Sequence, residues 1–151
     1  MHRINTWLSI GKWRETTDLK LLNIYGIKAM LQLADHAPQP NIETRYIQIE
    51  DGEAIPFDRI SQAMEFIREQ QQTGKHILIA CGAGISRSTA FSMAALREIE
   101  SCTLLDAYHL IRQHHPDAMP HPVLLKSLCE YYEERESLPA LVQASTGFYP
   151  E

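Results

Sequence analysis

Cysteine is scarce in this chain. Cys81, Cys102 and Cys129 are too few and too odd in number for a disulfide framework, and none stands at Cys-x-x-Cys or Cys/His metal spacing. Cationic runs are missing too. Fourteen Lys and Arg face 19 Asp and Glu, a net charge of −5, and no basic tract offers itself to nucleic acid or an anionic membrane. No apolar run approaches the roughly 20 residues that span a bilayer. The N-terminal MHRINTWLSIGKWRE lacks a continuous apolar stretch and a small-residue cleavage site, so no secretory signal is expected. Repeats, low-complexity tracts and linkers rich in Gly, Ser or Pro are also absent. What remains is a reduced, cytoplasmic, single-domain protein, expected to be a monomer without nucleic-acid or membrane partners.

The 151 residues are 44% apolar and 22% charged, ordinary for a globular chain that can bury roughly two-thirds of its unfolded surface. Strand and helix patterns alternate. Ile4 to Ile10, ending at Gly11, suits a short edge strand. Thr16-Thr17-Asp18 offers cap chemistry for a helix through Leu19, Leu21, Leu22 and Tyr25, closed by Gly26. Ile27 to Leu33 reads as a buried strand, and Tyr46, Ile47 and Ile49 as another, stopped by Asp51-Gly52. From Pro56, the spacing of Phe57, Ile60, Met64 and Ile67 predicts a helix to about Gln72, stopped by Gly74. His76 to Ala80 is a further buried strand, followed by a helix from about Arg87 to Ile99. Two more helices are patterned by Leu104, Tyr108 and Ile111, ending at His115-Pro116, and by Val123, Leu124, Leu128 and Tyr131. A tail over 138–151 reads as loosely ordered. The fold class is α/β, a small, mainly parallel central sheet flanked by helices, with ligands expected at the carboxyl ends of its strands.

The informative segment is HILIACGAGISRST, residues 76–89. It reads as a strand, a loop of small residues and a helix start. Gly82, Ala83 and Gly84 let the backbone curl so that successive N–H groups face inward as an anion nest. The next helix adds its free N–H groups and the positive end of its dipole. Cys81 stands at the floor of that nest, where positive charge favours the thiolate. Arg87, six positions on, brings a permanently charged planar fork for phosphate oxygens. A lone cysteine at a strand end is otherwise a small hydrophobe. The Gly-x-Gly turn, the flanking strand and helix, and Ser88 after the arginine favour the phosphate loop.

Cys81-Gly82-Ala83-Gly84-Ile85-Ser86-Arg87-Ser88 resembles the signature of cysteine-based protein phosphatases, and most of all the small, atypical dual-specificity phosphatases. Trp7 to Gly11, Tyr25-Gly26-Ile27, Met30 to Leu33, Ile47 to Asp51 and Ala107 to Pro116 are similar to further segments of that family. The resemblance implies a dual-specificity-phosphatase-like domain over residues 1–137 and hydrolysis of phosphomonoesters through a cysteinyl-phosphate. Phosphotyrosine and phosphoserine or phosphothreonine of proteins are the substrates it implies, so the partner is a phosphoprotein or phosphopeptide, and neither metal nor organic cofactor is implied. Residues 82–87 would hold the phosphate. The family has histidine before its nucleophile where this chain has Ala80, which bears on rate and pH optimum.

Asp51, Glu50 and Glu53 are all candidate general acids, and alternation along the strand does not separate them; the resemblance selects Asp51. Ser88 is expected to hydrogen-bond the departing Cys81 sulfur, and Ser86 to shape the loop. His114 and His115 read as a solvated helix end, because neighbours on a helix point apart. Cys102 and Cys129 read as packing residues. Two readings remain beside the protein phosphatase: an enzyme for a non-protein phosphomonoester such as a phosphoinositide or nucleotide, and a phosphate-binding pseudophosphatase. Sulfurtransferases also seat a cysteine in an anion nest, but their loop has four residues between Cys and Arg, and this one has five.

Overall fold

A computed structural model describes residues 1–146. The chain enters its sheet through β1 (His2–Arg3) and β2 (Leu8–Lys12), crosses over α1 (Leu19–Ile24) to β3 (Ile27–Gln32), and continues to β4 (Glu43–Tyr46). Helix α2 (Phe57–Gln72) returns it to β5 (His76–Cys81), and α3 (Arg87–Glu100), α4 (Leu104–His114), α5 (Pro122–Tyr131) and α6 (Leu138–Thr146) follow. The spatial order is β1-β2-β5-β3-β4, parallel throughout except for the antiparallel pairing of β1 with β2. The α/β class and mainly parallel sheet expected from the sequence are therefore present.

β5 is the middle strand, paired on both sides and buried along its whole length, as its unbroken apolar run requires. Its side chains alternate between two cores. Ile77, Ile79 and Cys81 face the larger core with α2, α3, α4 and α5, whereas Leu78 and Ala80 face a smaller one with Leu22, Ile27, Met30 and Ile42. This period of two puts the Cys81 sulfur on the face where α3 begins. Helix α3 is buried from Ser88 through Leu96, so after the half-buried Arg87 its start lies inside the protein.

Three local expectations need correction. The edge strand is β1, not the segment around Ile10: β2 is covered on its outer side because residues 2 and 3 fold back on it. β4 is Glu43–Tyr46, a little before the apolar residues that suggested it; Ile47 and Ile49 continue alongside β3 through bonds from their N–H groups to the carbonyls of Gln32 and Leu33. The segment after Leu138 is helical through Thr146 and buries Leu141 completely. Its apolar residues pack on α4 and α5, a tertiary contact that local propensity does not report. Residues 147–151 of the expected tail lie outside the described residues.

Candidate active site

β5 ends at Cys81 and α3 starts at Arg87, so five residues make the turn between the sheet and the helix. Gly84 closes it with φ +71°, and a Cβ there would lie 2.9 Å from the carbonyl carbon and oxygen of Gly11 in β2. Only glycine lets the loop seat this tightly against the neighbouring strand. Two of the loop carbonyls, those of Gly84 and Ile85, are bound from outside the loop. His115 Nε2 lies 2.7 Å from Gly84 O, and Ile85 O accepts from Met119 N and from Thr89 Oγ1. In a trans peptide the N–H opposes the C=O, so these contacts turn the N–H groups of Ile85 and Ser86 toward the mouth.

That mouth is a cavity of about 390 Å³ whose walls include Asp51, Cys81, Ala83, Ile85, Ser86 and Arg87. Cys81 is almost wholly buried, and its Sγ lies 3.2 Å from Ser88 Oγ, itself buried. The hydroxyl accepts from the thiol and can donate once the sulfur is ionised. Arg87 Nη1 donates to Ile49 O at 2.9 Å, and a Cβ on Gly82 would stand 3.1 Å from Arg87 Nη2, so a side chain at Gly82 would crowd the guanidinium. The arginine thus joins the loop to the strand that carries the candidate acid.

Asp51 lies in the turn after that strand. Ser86 Oγ donates to Asp51 Oδ1 at 2.7 Å and accepts from His121 N at 2.9 Å. Ser86 precedes α3 but makes no cap with its side chain; its hydroxyl instead ties together the Asp51 turn, the loop after β5 and the start of α5. Glu50, by contrast, accepts from Gln48 Nε2 in solvent, and neither it nor Glu53 lines the cavity. Tertiary placement therefore separates Asp51 from its neighbours, which alternation along the strand did not do.

Among the described residues the remaining walls are Met119, Pro120, His121, Pro122 and Thr146. His121 caps α5 by accepting from Val123 N at Nδ1, which places its ring proton on Nε2, beside Gly52. Thr146 reaches the cavity from the end of α6, far along the chain. No sequence pattern marks either residue.

His115 departs most from expectation. Rather than a solvated helix end, it is 3% exposed, stacked on His2 with 3.8 Å between ring centroids. His114 is exposed, and among the described residues no group of His, Cys, Asp and Glu could hold a metal ion. Cys129 is buried and its thiol is pushed up to about 11 by burial first and the nearby Glu134, Glu136 and Glu130 carboxylates second. Burial also raises Cys102. Both therefore stay protonated and serve packing.

The sequence profile described as "Dual specificity phosphatase, catalytic domain" matches residues 8–134. The dual specificity protein phosphatase Mpk3 of Drosophila melanogaster is 27% identical over 130 residues, which cover 82% of this chain and 32% of that protein. Dual specificity protein phosphatase 19 of Mus musculus is 27% identical over 138 residues, covering 89% of this chain and 63% of the mouse protein. The chain thus spans less than two-thirds of the length of either relative. Among solved structures, human DUSP28 superposes with a TM-score of 0.81 at 21% identity, covering 93% of this chain and 99% of that one, which supports the fold. With the profile spanning the sheet from β2 onward, the loop and all the helices up to α5, this chain belongs to the dual specificity phosphatase catalytic-domain family.

Proposed function

We propose that this chain hydrolyses phosphomonoesters through a cysteinyl-phosphate, acting on phosphotyrosine and on phosphoserine or phosphothreonine in proteins. The observation that carries the reading is one cavity holding a buried cysteine at a strand end, an arginine at the start of the following helix and a carboxylate tied to the loop between them. In the first step the Cys81 sulfur attacks phosphorus, the P–S bond forms and the bond to the leaving oxygen breaks. The Arg87 fork and the inward N–H groups hold the other three oxygens. Asp51 passes its proton to the leaving oxygen; with Oδ1 accepting from Ser86, Oδ2 is the atom that carries it. Water then attacks the phosphocysteine, giving a proton to Asp51, and the Ser88 hydroxyl stabilises the departing thiolate.

The wall favours a protein side chain over a polyphosphorylated lipid or nucleotide. Among the described residues Arg87 is the wall's only Lys or Arg, and beside Asp51, Ser86, His121 and Thr146 the rest is mostly apolar; a second phosphate would need further cations. The three free cysteines fit work in a reducing compartment, the cytoplasm. Among the described residues no helix is long and apolar enough to cross a membrane. We read the active species as a monomer, because Cys81, Arg87, Asp51 and Ser88 all come from one chain.

The test is Cys81→Ser, assayed with an aryl phosphate and with phosphotyrosine, phosphoserine and phosphothreonine peptides. Turnover is expected to vanish while tungstate, an inert tetrahedral oxyanion, still binds the loop. Turnover that survives in this variant would refute the covalent mechanism.

A further inference from the structure

A loop that turns its N–H groups inward must find donors for the carbonyls it turns outward. At Ile85 the donors come from the backbone of Met119 and from Thr89 in α3. At Gly84 the donor is the His115 imidazole, 2.7 Å away and buried. A carbonyl can only accept, so Nε2 carries the hydrogen. β5 offers no side chain for this task, since Ala80 packs into the smaller core.

His115 is well held. Its N–H donates to Ile111 O at the end of α4, its carbonyl accepts from Ala118 N, and its ring lies on His2 with the planes 11° apart. Nδ1 is buried with no partner among the described residues, so Gly84 O is the one contact that orients the ring through a hydrogen bond. Gly84 is also the residue pressed against Gly11. The loop's tightest point is therefore pinned by β2 on one side and by an imidazole on the other.

We propose that His115 is a positioning residue for phosphate binding, acting through the Gly84 carbonyl to keep the loop N–H groups aimed at the oxyanion. The inference rests on the reading of the loop as the phosphate site. His115→Phe keeps the ring and its stack on His2 but removes the donor; His115→Gln returns an N–H donor near the place of Nε2. Tungstate affinity, measured by calorimetry on the full chain, is expected to fall roughly ten- to a hundredfold in the Phe variant, because a buried carbonyl without its donor is costly enough to turn the loop toward water and its N–H groups away from the anion. It should return to within about threefold of wild type in the Gln variant, and kcat/KM should follow. A purely packing role would lower the Tm and leave the affinity alone. Equal affinities for Phe and wild type, or a Gln variant as weak as Phe, would overturn the proposal. Should the Phe variant not fold, the wild-type protein decides: the His115 Nε2–H resonance must move when tungstate saturates the loop, and an unmoved signal also overturns it. Rescued tungstate binding without turnover in any protein would instead refute the hydrolase reading and leave this one standing.

Discussion

Two glycines with nearly the same φ provide a controlled test of how the candidate phosphate loop is held. Gly26 has φ +70° and Gly84 has φ +71°, but a Cβ at Gly26 would meet nothing within 4 Å, whereas at Gly84 it would stand 2.9 Å from Gly11 C and O and 3.2 Å from Lys12 N. Alanine in the left-handed region costs about 1–2 kcal/mol at either site. At Gly84 the methyl group must also displace backbone of β2 or the loop, and overpacking of this kind adds about 1–3 kcal/mol. In a chain of this size each kcal/mol lowers the Tm by about 2–4 °C. Gly26→Ala should therefore lose roughly 5 °C and Gly84→Ala roughly 10 °C. Binding separates the two further. Gly26 lies before β3, at the end of the sheet away from the loop, so its variant should bind tungstate like wild type. Gly84→Ala should bind at least about tenfold more weakly, because a displaced loop misaims its N–H groups. Calorimetric unfolding and tungstate titration on the same samples supply both numbers. Equal Tm losses with unchanged affinity at Gly84 would show that the loop is not pinned against β2, and the geometric argument would fail.

Asp51→Asn should lose most activity, about 10²–10⁴-fold, with alkyl phosphates and least with an activated aryl phosphate, whose anion departs unaided; steady-state rates across a leaving-group series check this, and a uniform loss would make Asp51 a turn residue. Acid should destabilise the protein through His76, whose Nδ1 donates to Thr6 O and whose Nε2 accepts from Ser9 Oγ. Burial, with Arg3 as a lesser cause, holds this imidazole below its ordinary value of 6.5 although the Thr6 carbonyl opposes the shift. The unfolded chain therefore binds a proton that the folded one refuses, so its stabilising contribution is present above about pH 6.5 and lost as pH falls below. A His76→Gln variant should show a flatter dependence of Tm on pH between about 7 and 5, and an unchanged slope would count against the assignment.

Much of this protein was legible in the order of its residues, because the signals involved are local. The unbroken apolar run of β5 declares a strand buried on both faces, and small residues between it and an apolar helix declare a tight turn at a helix start. The cysteine, the arginine and the serine after it lie within eight residues of one another, so the candidate phosphate loop is written in one stretch of sequence. Capping by Asp18, which accepts from Leu21 N, and the stop of α2 before Gly74 are likewise short-range. Asp51 sat among three carboxylates that one sequence cannot rank by spacing; a family pattern selected it, and the cavity and the Ser86 bond placed it. His115 was misread as solvated because its surroundings are supplied by β1 and by a loop 31 residues away. The helix at Leu138–Thr146 depends on burying Leu141 against α4 and α5, and only that contact carries Thr146 to the mouth of the site. Chemistry that lies within a few residues along the chain can be read from the sequence. The donors, walls and pins that come from distant segments exist only once the hydrophobic cores have fixed where those segments meet.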